Sequence, residues 1–137
     1  MILGFGSDLC DIRRIEATIA RYGDRFLERV FTTEERAEAL TRNADDRAST
    51  FAKRFAAKEA AAKALGTGFR HGVFFMDLGV VNLPGGRPIL QMTGGAADRL
   101  AAITPPGLAA QVVLSMSDEY PYALAQVIIA CIPAGGR

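Results

Sequence analysis

Apolar and polar positions follow two different rhythms along the 137 residues. At the N-terminus "MILGFG" is a short apolar run closed by glycines, which predicts a strand over 2–6. Then Ile12, Ile15, Ile19 and Tyr22 recur at helical spacing, and Gly23 supplies a stop. "DRFLERV" predicts a second short helix. Thr32 with Glu35 three residues later is a capping-box pattern, so "TTEERAEALTRN" is expected to form a helix of about two to three turns. "NADDRAS" is polar and reads as a loop. It introduces a helix expected from about 48 to 65, with Gly66 as its C-terminal stop.

After "GTGFRHG" the rhythm changes. "FFMDLGVVNL", a "PGGRP" turn and "ILQMT" predict a β-hairpin, because the Pro-Gly-Gly cluster is turn chemistry. "GGAADRLAAIT" predicts a short helix that ends before Pro105 and Pro106. "AAQVVLSMS" and "YALAQVIIACI" are β-rich runs joined by "DEYP", an expected antiparallel pair. The tail "PAGGR" is expected to fray. Strand, helices, hairpin, helix and hairpin in that order predict an α+β fold: a small antiparallel sheet packed with helices, in one domain over 1–137.

Composition narrows the function. Half of the residues are apolar and the formal net charge is +1, which suits a globular domain rather than a disordered or membrane-spanning chain. Near neutrality argues against a dedicated nucleic-acid binder, so any positive charge that matters is local. Arg13, Arg14 and Arg21 supply such a patch, falling away from the apolar stripe of the first helix. Cys10 and Cys131 lie far apart with no zinc-type spacing, and read as buried reduced thiols. "MILGFGSDL" lacks the basic flank and apolar length of a signal peptide, so a cytoplasmic protein is expected.

Candidate chemistry centres on two acids. "GFGSDL" falls short of a dinucleotide fingerprint because Leu9 stands where the third glycine belongs. Asp8 is expected just past the first strand. Glu59 sits at the edge of a helical stripe formed by Phe51, Phe55, Ala62 and Gly66, with Lys63 one turn further on. A carboxylate on an apolar face needs a partner. An i,i+4 ion pair with Lys63 satisfies Glu59, and helix capping near "DLCDI" satisfies Asp8. A hard divalent cation satisfies both, since Mg²⁺ accepts two protein carboxylates and completes its shell with water and substrate phosphates. Lys63, Arg54, Lys58 and the "GTG" at 66–68 would then serve the phosphates. Spacing leaves both readings open. His71, the only histidine, reads as an exposed loop residue.

Four stretches, "GFGSDLCDIRRIE", "RFLERVFTTEE", "RFAAKEAAAKALGTG" and "VVLSMSDEYPYALAQVII", together resemble the holo-acyl-carrier-protein synthase family over nearly the whole chain. The resemblance implies a 4′-phosphopantetheinyl transferase-like fold with one long central helix. It implies Mg²⁺-dependent transfer of 4′-phosphopantetheine from coenzyme A to a serine of apo acyl carrier protein, in support of fatty acid biosynthesis. Asp8 and Glu59 match the family's Mg²⁺ ligands, and Lys63 its phosphate-binding catalytic lysine. Arg54, Lys63, Gly66, Thr67, Gly68, Arg87, Pro88 and Ser117 fall at coenzyme-binding positions. Arg14, Arg21, Arg25 and Phe26 match the surface that docks the acidic carrier protein. The family is typically a homotrimer with shared active sites, so Asp8 is expected to face Glu59 of a neighbouring chain. Asp118 stands where many members carry histidine; an ionised carboxylate cannot donate to a phosphate, so no direct phosphate role is expected for it. Two other classes remain: a coenzyme A- or nucleotide-binding module without turnover, and an RNA-binding or structural oligomer built on the arginine helix.

Overall fold

A computed structural model describes Met1 to Gly135. Strand β1 (Ile2–Asp11) leads into helices α1 (Ile12–Tyr22), α2 (Asp24–Val30), α3 (Thr33–Leu40) and α4 (Ala44–Leu65). A 3-10 turn (Phe75–Asp77) precedes β2 (Leu78–Asn82) and β3 (Pro88–Met92). Helix α5 (Gly94–Ile103) and the strands β4 (Leu108–Glu119) and β5 (Tyr122–Pro133) complete the chain. The strands form a three-stranded antiparallel sheet in the order β1-β5-β4 and a separate β2-β3 hairpin. The α+β class and the long central helix are as expected.

Three boundaries differ from the sequence reading. β1 does not stop at residue 6, because Ser7 through Asp11 keep pairing with β5, from Ser7 opposite Gln126 to Asp11 opposite Tyr122. Strand side chains alternate between faces, so polar residues interrupt the apolar run without breaking the ladder. The cap of α1 is therefore Asp11, whose carboxylate accepts from the Arg13 N–H, and not Asp8. Helix α4 begins at Ala44 rather than near 48: Asn43 occupies the N-cap, and Asp45 and Asp46 lie in a first turn that favours negative charge. "NADDRAS" looked loop-like because its first residues are exposed. The hairpin's first strand is shorter than expected, since "FMD" forms the 3-10 turn.

Helix α4 packs against β1, β5 and β4 on one side and against α1, α3 and β2 on others. That surround explains its composition. Ala52, Ala56, Ala57, Ala60, Ala61, Ala62 and Ala64 are all buried, which a one-sided amphipathic helix would not require. The closest approach is to β1. Gly4 and Gly6 share the inner sheet face, and a Cβ on either would overlap the backbone carbonyl of Ala64 or Ala60. The "GFG" that superficially suggests a nucleotide loop is thus the seat of a helix on a strand. Its outer-face partner Phe5 stays 56% exposed.

On its other side α4 carries Lys58, fully buried, with Nζ 2.7 Å from Glu35 Oε1. It also donates to the carbonyls of Phe75 and Leu78 at 3.1 and 2.8 Å. Glu35 completes the expected capping box with Thr32, and its second oxygen accepts from the Val80 N–H at 2.9 Å. One carboxylate thus ties α3, α4 and β2 together.

Of the tail "PAGGR", Pro133 closes β5 and the Ala134 N–H donates to the Gly107 carbonyl at 2.8 Å. The rest of the tail expected to fray, Gly136 and Arg137, lies outside the described residues.

Candidate active site

The register of β1 puts Asp8 on the inner face, opposite Ala125 and toward α4. The seating of Gly4 and Gly6 on Ala64 and Ala60 brings the next inner-face residue, Asp8, beside the turn of α4 that carries Glu59 and Lys63. Lys63 Nζ donates to Asp8 Oδ1 at 3.1 Å and to the Ser7 carbonyl at 3.0 Å. Among the described residues Glu59 makes no ion pair, so the i,i+4 pairing with Lys63 is not formed. Asp8 and Glu59 of the same chain line one cleft of about 340 Å³, together with Phe55, Arg14, Thr18 and Phe26. Strand and helix of one chain thus bring Asp8 and Glu59 together without a neighbouring chain.

Partial burial raises the pKa of Glu59 most, the nearby Asp8 charge raises it further, and Lys63 offsets part of the rise. Cys10, on the same wall, has its thiol pushed up to about 11 by burial and then by Asp8. Both cysteines are free and buried. The cleft therefore holds Asp8 and Glu59, two carboxylates that attract a cation, while Asp11 on its wall is committed to Arg13 and the Lys63 ammonium sits on Asp8 and the Ser7 carbonyl. This donor set is hard oxygen, the chemistry of Mg²⁺. Among the described residues no third His, Cys, Asp or Glu joins it as a metal group.

The remaining expected residues divide among separate places. Arg14 and Phe26 line the cleft, and Phe26 continues with Arg25, Thr18 and Tyr22 into an adjoining groove of about 740 Å³. Arg21 stacks over Tyr22, 5.2 Å from the ring centroid. Arg13 is withdrawn from the expected patch, since Asp11 binds it bidentately at 2.9 and 2.8 Å. Arg54 and Lys58 do not line the cleft. Arg54 is buried, with contacts to the Thr50 carbonyl and to Asn82 Oδ1 at 3.4 and 3.3 Å. Asn82 pairs with Pro88, so Arg54, Pro88 and the neighbouring Arg87 gather at the β2–β3 hairpin. Gly66, Thr67 and Gly68 lie at the opposite end of α4, roughly 18 Å along the axis from Arg54. Ser117 faces outward, beside Leu9 and Tyr122. His71 is exposed in a turn.

Asp118 pairs with Lys53 of α4 at 3.1 Å, which gives this carboxylate a structural partner. The sequence reading missed three features: the Ser7 carbonyl under Lys63, the closing of α4 by Arg99, and the purpose of "GFG". Only the last had a signal. Glycines at i and i+2 of a strand share a face, and Ala60 and Ala64 at i and i+4 form a matching stripe on the helix.

A family model of the 4′-phosphopantetheinyl transferase superfamily matches residues 4–125. The chain is 66% identical over 142 aligned residues to a holo-[acyl-carrier-protein] synthase of Granulibacter bethesdensis, covering 100% of this chain and 98% of the relative. Among solved structures it is similar to the holo-[acyl-carrier-protein] synthase of Neisseria meningitidis, with TM-score 0.82 and 36% identity over 95% of this chain and 99% of that one. It is also similar to the Bacillus anthracis holo-(acyl-carrier-protein) synthase in complex with CoA (3′,5′-ADP), with TM-score 0.75 and 36% identity over 94% of this chain and 96% of that one.

Proposed function

The chain belongs to the 4′-phosphopantetheinyl transferase superfamily, and from that premise we propose that its activity is that of a holo-acyl-carrier-protein synthase. It transfers 4′-phosphopantetheine from coenzyme A to a serine of apo acyl carrier protein, in support of fatty acid biosynthesis. The observation that carries the site assignment is that Asp8 and Glu59 line one cleft with Arg14 and Phe26, while Lys63 donates to Asp8.

Each group has a separable task. Lys63, with 54% of its side chain exposed, turns from Asp8 to the diphosphate oxygens of the coenzyme and places a point charge on them. Asp8 and Glu59 would hold Mg²⁺, which when bound supplies charge neutralisation to the diphosphate. The serine oxygen bonds to the β-phosphorus, the anhydride bond to the leaving phosphate breaks, and adenosine 3′,5′-bisphosphate departs. Glu59, whose affinity for a proton is raised by its surroundings, is positioned to accept the serine proton. Positioning and electrostatics carry most of the rate in this class of reaction. Arg14, Arg21, Arg25 and Phe26 form the docking surface for the acidic carrier.

The outer sheet face supports a homotrimer with active sites at subunit interfaces. It exposes Phe5, Leu9, Val113, Tyr122 and Ile128, an apolar area that a second copy would cover. The division of the coenzyme residues points the same way: Ser117 and the Arg54–Arg87–Pro88 group do not line the Asp8 cleft of their own chain, and a neighbour could bring its copies to it. One catalytic domain accounts for the chain, since α4 packs on both the sheet and the hairpin. Among the described residues no helix is long and apolar enough to cross a membrane. We assign the protein to the cytoplasm, where free thiols such as Cys10 and Cys131 persist.

The test is incubation with apo carrier protein, coenzyme A and Mg²⁺, followed by detection of adenosine 3′,5′-bisphosphate. Release that requires carrier and stops on chelation is expected. Coenzyme binding with no release in any divalent cation would leave a binding module, and unchanged release after chelation would remove the metal assignment.

A further inference from the structure

Helix α4 ends at the wrong electrical pole for a phosphate. The Gly66–Gly68 loop follows its C-terminus, where aligned peptide dipoles leave partial negative charge and unbonded carbonyls. The loop satisfies two of those carbonyls itself. Gly66 N–H donates to Lys63 at 3.0 Å, and Gly68 N–H donates to Ala62 at 3.2 Å. The Leu65 carbonyl is answered from another element: Arg99 Nε of α5 donates to it at 3.0 Å.

That guanidinium has capacity to spare. Its Nη2 lies 3.6 Å from the point where a Cβ on Gly66 would stand, so it borders the loop directly. Among the described residues neither Nη nitrogen has an acceptor, and no carboxylate lies within ion-pair distance. The helix that presents it is firmly seated. A Cβ on Gly95 would overlap the Gly72 carbonyl, and Ala96 is fully buried. The start of α5 is therefore fitted against the far end of the same loop that Arg99 borders at its beginning.

We propose that Arg99 is a positioning residue for coenzyme A. It closes the C-terminus of α4, fixes the Gly66–Gly68 loop from below, and places positive charge where the helix pole would otherwise repel the donor's phosphates. The proposal rests on the reading of that loop as the coenzyme contact. It explains a charge on α5 that neither the docking surface nor the Asp8 cleft uses.

Arg99→Met and Arg99→Lys test it, with KM for coenzyme A, KM for the carrier, kcat and thermal midpoint measured for each. Loss of one charge-assisted hydrogen bond predicts a KM for coenzyme A raised about tenfold in Arg99→Met, with the carrier KM held and the thermal midpoint lowered by only a few degrees. Arg99→Lys recovers part of the affinity, because it restores the charge and a donor. A KM for coenzyme A within about twofold of the parent in Arg99→Met overturns the proposal. So does an equal loss for both substrates with a lowered midpoint, which marks a role in folding alone. Calorimetric coenzyme A binding by Lys63→Met and Gly68→Val separates the two levels of the argument. If both bind as the parent does, the loop is not the coenzyme contact and both readings fall. If both lose affinity while Arg99→Met keeps it, only the role of Arg99 falls.

Discussion

Two of the lysine–carboxylate pairs on helix α4 lie little more than one turn apart, and they are opposites. Lys58 and Glu35 are both fully buried, 2.7 Å apart, and every polar atom of the pair has a partner. Lys63 and Asp8 are 3.1 Å apart with side chains 54% and 18% exposed, and a second carboxylate, Glu59, stands beside them without an ion pair of its own. Burial lowers the pKa of Lys58, and only the adjacent Glu35 opposes that effect. Breaking the sealed pair leaves an uncompensated charge in the interior. Breaking the open pair returns Lys63 to water and leaves Asp8 facing an open cleft. A pair that can be opened at low cost can give its lysine to a substrate; a sealed pair can only hold the fold.

Lys58→Met strands Glu35 and is expected to cost about 3–5 kcal/mol of unfolding free energy in urea titration. Pairing it with Glu35→Gln should recover part of that loss; a neutral Lys58→Met would abolish the contrast. Lys63→Met is the mirror case. Its kcat/KM should fall by about 10²–10³, while stability moves by less than about 1 kcal/mol. Reversing Arg14 and Arg21 together to Glu should raise the carrier KM about tenfold, flatten its salt dependence and leave the KM for coenzyme A alone. An unchanged salt dependence would make those arginines a solvated face. Lys53→Ala breaks a third pair on the same helix, with Asp118, whose side chains are 26% and 35% exposed. A change within about 1 kcal/mol and near-parent kcat is expected. A large loss of kcat there would give Asp118 a part in the reaction.

The contrast between the pairs was only half legible in the sequence. Local signals carried the helices well: Thr32 and Glu35 announced a capping box, and Gly66 announced the end of α4. The same capping box concealed the burial of Glu35, because its partner Lys58 and its second acceptor role toward Val80 come from distant segments. Asp8 and Glu59 were visible as acids in unusual surroundings, but their meeting depends on the register of β1 against β5 and on glycines that let α4 descend onto the strand. Periodicity within α4 favoured an ion pair between Glu59 and Lys63. The structure turns Lys63 to Asp8 instead, a contact across 55 residues that no local spacing encodes. Arg99 had no signal at all, since an arginine in a short helix looks like any exposed charge until its neighbour is a helix end.

The most direct measurement is the intact mass of apo carrier protein after incubation with coenzyme A and Mg²⁺ and either the parent enzyme, Asp8→Asn or Glu59→Gln, with folding of each variant checked by circular dichroism. The parent should add one phosphopantetheine to the carrier, while both folded variants leave its mass unchanged over the same period. Complete conversion by either folded variant would contradict the assignment of the open cleft as the site of transfer.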